Sequence, residues 1–144
     1  MTCTFFGHKN CYGLDEKTLE NAVIRLIEEG VDHFLVGNQG EFDRVVCRLL
    51  KDLKKQYSHI QYSVVLAYLP IKKQEYDDFS DTVFPEEVAI GPAKFAIERR
   101  NNWMIERSDY CLCYIDHTYG GAYKFAKKAT RRKLTVINLG SANL

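Results

Sequence analysis

Apolar positions along this chain alternate between two spacings. Short runs apolar at nearly every position alternate with longer stretches in which apolar residues recur every three or four. The first spacing suits strands buried on both faces, the second amphipathic helices. Residues 2–6 form a β-prone run that stops at Gly7, and a loop with glycine at both ends, 7–13, follows. Asp15 is placed to cap a helix, and Leu19, Ala22, Val23, Leu26 and Ile27 keep a helical period up to Gly30. Residues 33–36 read as a second strand. Phe42, Val45, Val46, Leu49, Leu50 and Leu53 then mark a second helix, finished by Lys51, Lys54 and Lys55. Residues 60–68 read as a third strand, stopped by Pro70.

The stretch 71–92 has no clear period and carries six acids, so it reads as a lid or a solvated insertion, with 82–84 as a possible short strand. A third amphipathic helix follows. Counted at 100° per residue from Ala93, it places Ala93, Ile97 and Met104 on one stripe, with Ala96 and Trp103 beside it. Arg100 falls in the middle of that stripe and Arg99 outside it, on the solvent side. A guanidinium among core-facing side chains is costly unless an acceptor or an anion meets it. It either caps a strand carbonyl or pairs with a buried carboxylate, or it reaches a ligand's anionic group. Residues 110–115 are apolar on both faces and read as a central strand, followed by a glycine loop, 116–121. Ala122, Phe125, Ala126 and Ala129 continue as the core face of a helix, and 134–139 is the last strand.

Strands alternating with helices predict an α/β domain with a parallel sheet. The expected form is Rossmann-like and doubly wound, five strands in the order 3-2-1-4-5, a single domain over 1–144. Three glycine loops then converge on the carboxyl edge: Gly7-His8-Lys9, Gly37-Asn38-Gln39-Gly40 and Tyr119-Gly120-Gly121. Glycine lets backbone amides approach an anion, and a helix start supplies partial positive charge. Together with Arg100 they predict a phosphate-bearing, nucleotide-like ligand. The dinucleotide fingerprint and the Walker loop are both absent, which argues against NAD and against P-loop ATP hydrolysis.

Composition narrows the function further. A net charge of +1 provides no global field toward nucleic acid or membranes. The basic cluster Lys124, Lys127, Lys128, Arg131, Arg132 and Lys133 lacks interleaved stacking aromatics, which argues against single-stranded nucleic acid as the partner. No apolar run approaches the ~20 residues that span a bilayer, and the amino terminus does not read as a signal peptide; a cytoplasmic protein is expected. Five cysteines without a Cys-x-x-Cys pair signal neither a disulfide framework nor a zinc site, so reduced thiols and no metal are expected. Phe95 and Trp103, toward or beyond the edge of their helix's core stripe, suggest a homodimer or larger assembly.

The motifs Phe6-Gly7-His8-Lys9, Gly37-Asn38-Gln39-Gly40-Glu41-Phe42-Asp43, Arg100-Asn101-Asn102-Trp103-Met104, Ser108-Asp109, Gly120-Gly121-Ala122 and Val136-Ile137-Asn138-Leu139 occur in this order along nearly the whole chain. In that order they resemble the SLOG superfamily, the Rossmann-like group that joins the DprA/Smf proteins and the LOG-type enzymes. The nearest branch is the small YpsA-like proteins of bacteria. The resemblance implies a nucleotide-derived ligand, in a signalling or sensing role, held by Gly7, His8, Lys9, Gly37, Asn38, Gly40, Asp43, Arg100, Asn101, Asp116, Gly120 and Gly121. LOG-type enzymes cleave the N-glycosidic bond of nucleoside monophosphates with an arginine, matched here by Arg100, and a glutamate shortly after the glycine loop. Here 120–125 carries no carboxylate, so binding without strong catalysis is expected, and no cofactor. If the chain is an enzyme of that kind, Arg100 and Asp116 are the candidates. DprA-type members bind single-stranded DNA, the remaining alternative.

Overall fold

The computed structural model describes residues 1–69 and 81–144. Residues 71–80 of the lid-or-insertion reading of 71–92 lie outside the described residues. The chain builds β1 (Thr2–Gly7), α1 (Glu16–Glu28), β2 (His33–Val36), α2 (Gly40–Gln56), β3 (Gln61–Val65), β4 (Thr82–Val83), α3 (Glu86–Ala89), α4 (Ala96–Glu106), β5 (Tyr110–Tyr114), α5 (Gly121–Arg131) and β6 (Thr135–Asn138). A single 3-10 turn, Ala93–Phe95, leads into α4.

All strands run parallel, in the order β4-β3-β2-β1-β5-β6. The five expected strands keep their expected neighbours. The correction is a sixth strand, β4, two residues long, which extends the sheet beyond β3. It pairs through Val64↔Thr82 and Val65↔Val83.

Strand β1 lies between β2 and β5, pairing Thr2 with His33 on one side and Cys3 with Tyr110 on the other. Successive side chains of a strand point to opposite faces, so β1 is buried on both; its one fully buried hydroxyl, Thr4, donates to the Leu35 carbonyl at 3.1 Å. Phe5 joins the core under α1 and α2, with Leu19, Leu50 and Leu112; Phe6 joins the core under α4 and α5, with Met104, Phe125 and Cys113. The two helical layers therefore cover opposite faces, and the connection changes face between the β1–β2–β3 side and the β5–β6 side. Such a switch point leaves a crevice outside the carboxyl ends of the central strands.

Local sequence fixes the ends of these elements. Asp15 accepts the Lys17 amide at 3.2 Å and the Thr18 hydroxyl at 2.8 Å, capping α1. Gly30, at φ +105°, ends it in a conformation that costs a side-chain-bearing residue more. Asn138 closes the other end of the chain. Its Oδ1 accepts the Ile115 and Gly140 amides, each at 2.9 Å, while Nδ2 donates to the Ile115 and Ala142 carbonyls at 3.1 and 2.8 Å. One amide side chain thus replaces the ladder where β5 and β6 end and ties the final residues to the sheet.

Candidate functional site

Helix α4 runs back toward the sheet before feeding β5, so its first turns stand at the carboxyl edge. Its buried face is Ala96, Arg100, Asn101, Met104 and Ile105. Arg100 is 2 % exposed, the bulkiest of the fully buried side chains. Its Nε donates to Asn101 Oδ1 at 2.7 Å, and its Nη1 donates to Asn38 Oδ1 at 3.2 Å and to the Val65 carbonyl at 3.0 Å. The guanidinium caps the end of β3 and also lines a cleft of about 480 Å³. Of the readings raised by the sequence, the strand cap holds, and the same side chain borders the cleft.

Two positions depart from the expected stripe. Ala93 lies in the 3-10 turn and is exposed. Ile97 is 37 % exposed although its helical phase is right, because the first turn of α4 borders the cleft. Arg99, expected to face solvent, is half-buried. Its Nε and Nη1 donate to the Val88 and Pro92 carbonyls at 3.0 and 2.8 Å, closing the end of α3.

Opposite Arg100, the first turn of α2 brings in Asp43. Its carboxylate accepts the Gln39 amide at 2.9 Å, satisfying one of the donors at the helix start. Burial pushes this carboxyl up to about 6, with the Gln39 amide and the Arg100 charge pulling the other way. Gly37 makes the arrangement possible. A Cβ there would sit 2.8 Å from Arg100 Nη1 and 2.9 Å from Asp43 Oδ2. At Gly7 a Cβ would come within 2.2 Å of the Phe42 ring, which fills the space beneath the loop.

The remaining wall is the start of α5. Gly120 is its N-cap at φ +92°, with no side chain bonded to the cap and no acid in the first turn. Nothing lies within 4 Å of where a Cβ would stand at Gly120 or Gly121. The first amides of this helix have no intrahelical partner and stand at the positive end of the helix dipole. The pairing Gly7↔Tyr114 sets the loop after β5 beside the loop after β1. His8 Nε2 accepts the Asp116 amide at 3.3 Å, and the His8 ring stacks on His117 at 3.5 Å and 12°. Asp116 Oδ1 stands 2.6 Å from His117 Nδ1 and 3.4 Å from His8 Nε2. Burial, then the neighbouring His117, hold His8 below its ordinary value, against the pull of Asp116. His8 is thus a neutral acceptor at neutral pH.

Among the described residues, His8, Asp116 and His117 form a group whose donor atoms lie within 4.8 Å of one another. The stacked rings direct their lone pairs nearly side by side instead of toward one point, and we assign no metal to them. The cysteines are free thiols, four of them buried, and burial raises Cys3 and Cys47 well above the ordinary thiol range.

Of the residues expected at a ligand site, Gly7, His8, Lys9, Asp43, Arg100, Asn101, Gly120 and Gly121 line the cleft together. Gly37, Asn38, Gly40 and Asp116 do not line it. Asn38 and Asp116 stand one contact behind, on Arg100 and on the histidines. Gly40, at φ +87°, lets α2 begin against the Lys9 backbone, whose carbonyl accepts the Glu41 amide at 3.0 Å. Sequence reasoning missed Gln39, Asn10 and His117, and the apolar side formed by Ile97, Met104 and Phe125. The signal for His117 was its place one residue after Asp116 in the loop that follows the central strand.

A doubly wound parallel sheet with a cleft at its switch point, floored by a buried arginine and walled by an uncapped Gly-Gly helix start, defines a Rossmann-like domain. A family model described as the YspA SLOG family matches residues 4–138. The chain belongs to that SLOG family. It is also similar to UPF0398 proteins of Halalkalibacterium halodurans, 24 % identical over 131 residues (82 % of this chain, 68 % of the relative), and of Lysinibacillus sphaericus, 22 % identical over 130 residues (83 % and 73 %). A UPF0398 protein of Brevibacillus brevis is 21 % identical over 139 residues, covering 89 % of this chain and 74 % of the relative. No helix among the described residues is long and apolar enough to cross a membrane.

Proposed function

We propose that the cleft binds a nucleotide or nucleotide-derived ligand through its phosphate, in a signalling or sensing role. The observation that carries this reading is Arg100. It is a cation 2 % exposed on the floor of a cleft that an uncapped helix start also lines. A guanidinium offers a planar fork of donors to phosphate, and a helix N-terminus adds amides and positive potential. The polar wall of Asn101, Gln39 and Asn10 supplies groups for sugar hydroxyls, and the Ile97, Met104 and Phe125 side supplies apolar surface. The test is calorimetric titration of the intact chain with nucleoside monophosphates, ribose 5-phosphate and inorganic phosphate. Saturable binding that strengthens from phosphate to ribose 5-phosphate to nucleotide supports the reading; no binding to any of them defeats it.

Asp43 favours a second reading, a nucleoside-monophosphate N-glycosidase. Departure of the base needs an acid near the sugar or a carboxylate to stabilise positive charge. The glycine loop lacks one, yet a carboxyl pushed up to about 6 lines the cleft from α2. In this reading Arg100 binds the phosphate and Asp43, not Asp116, faces the reacting sugar. Release of free base from a nucleoside monophosphate, lost in Asp43→Asn, would support it. Stable nucleotide with no base released over hours leaves binding as the function.

A further inference from the structure

We propose that Tyr119, seated on the His8–His117 stack, is the platform on which the ligand's planar base stacks. This inference rests on the nucleotide reading above and assigns the base end of the same ligand to particular residues. Three rings rise in a column from the sheet edge. His8 at the bottom is 7 % exposed and fixed by the Asp116 amide. His117 lies on it at 3.5 Å and 12°, with its ring edge held by Asp116 Oδ1 at 2.6 Å. Tyr119 packs on His117 at 4.1 Å and 34°, and is 70 % exposed. One face of the tyrosine is therefore covered and the other is open.

The column has a direction as well as a base. Both imidazoles line the cleft, and Tyr119 is followed directly by the Gly120–Gly121 turn, which lines it too at the start of α5. A phosphate over that turn brings the rest of a nucleoside phosphate back past the loop that carries Tyr119. An aromatic ring held in place from below loses little freedom when a base is laid on it, which is where stacking affinity is otherwise spent. Stacking accepts any base, because every base has a π face, and favours the larger purine surface. The ligand class is accordingly a purine nucleoside phosphate.

The experiment titrates the intact chain and the variants Tyr119→Ala, Tyr119→Phe and His117→Ala with two probes, adenosine monophosphate and ribose 5-phosphate. Tyr119→Ala should weaken the nucleotide about 5- to 150-fold, the span that corresponds to the known range of base–aromatic stacking, and leave ribose 5-phosphate unchanged. Tyr119→Phe keeps the ring and should keep the affinity, and His117→Ala, which removes the support, should give a partial loss. Melting temperature should hold in Tyr119→Ala, since the ring is exposed. Equal loss for both probes would make Tyr119 a mere loop anchor and overturn the proposal, as would nucleotide binding unaffected by Tyr119→Ala. If the unaltered chain binds neither probe, the nucleotide reading itself fails and takes this inference with it.

Discussion

Replacing Asp43 by asparagine isolates the most perturbed acid of the cleft. Asp43 is 7 % exposed, and burial outweighs both the Gln39 amide and the Arg100 charge, moving its carboxyl from 3.8 to about 6. At 1.36 kcal/mol for each tenfold change in acidity, that difference is worth about 3 kcal/mol. The folded state holds the proton more tightly than the unfolded chain. Stability from this group is therefore fully present below pH 4 and is lost as pH rises through about 6. Asparagine keeps an oxygen for the Gln39 amide and does not titrate. Urea unfolding of both proteins from pH 4 to pH 8 gives the difference in stability at each pH, in which all other titrating groups cancel. The unaltered protein should lose about 2.5 kcal/mol relative to Asp43→Asn across that interval. A difference that stays flat, or one that moves the opposite way, would show that Asp43 is stabilised as an anion, by Arg100, and that the desolvation reasoning is wrong.

Three further outcomes follow from the geometry. Gly7→Ala drives a Cβ to 2.2 Å from the fully buried Phe42 ring and should cost about 1–3 kcal/mol, read from the urea midpoint; an unchanged midpoint would mean the loop yields freely. Asn138→Ala strips four hydrogen bonds from the β5–β6 end and should cost about 1–3 kcal/mol and raise amide exchange at Ile115 and Gly140; native protection there would refute the tie. Ile90 at 66 % and Phe95 at 47 % exposure leave apolar surface beside α4, and light scattering should give a dimer or larger; a monomer mass at working concentration would contradict it.

The fold was legible because its signals are local. Each helix but the short α3 carries an apolar period, and β5, buried from both sides, is apolar throughout. Only β4 was faint, since two paired residues make too short a run to show a period. Arg100 was legible for the opposite reason, as a charge that contradicts the stripe around it. The helical phase could not show that Ile97 stands over open space, because exposure there depends on where the helix ends against the sheet. It also could not show Arg99 bonded to the Val88 and Pro92 carbonyls, a contact set by tertiary approach. His117 and Tyr119 carry no period at all, and the stack of His117 on His8 exists only once β1 and β5 lie side by side. The raised pKa of the Asp43 carboxyl is likewise a product of burial that no spacing encodes.

The central claim is that Arg100 meets the anion of a ligand in this cleft. The direct measurement is calorimetric titration with nucleoside monophosphates of the unaltered protein and of Arg100→Lys, Arg100→Ala and Arg99→Ala, each with its melting temperature. Arg100→Lys retains the charge and loses the fork, so it should bind measurably more weakly while staying folded. Arg100→Ala should lose binding altogether, a partner of a buried charge pair being worth about 2–5 kcal/mol. Arg99→Ala removes bonds to Val88 and Pro92 only, and should melt earlier yet bind as before. Folded Arg100→Lys and Arg100→Ala that bind like the unaltered protein, with only their melting temperatures lowered, would reduce Arg100 to the cap of β3 and contradict the account.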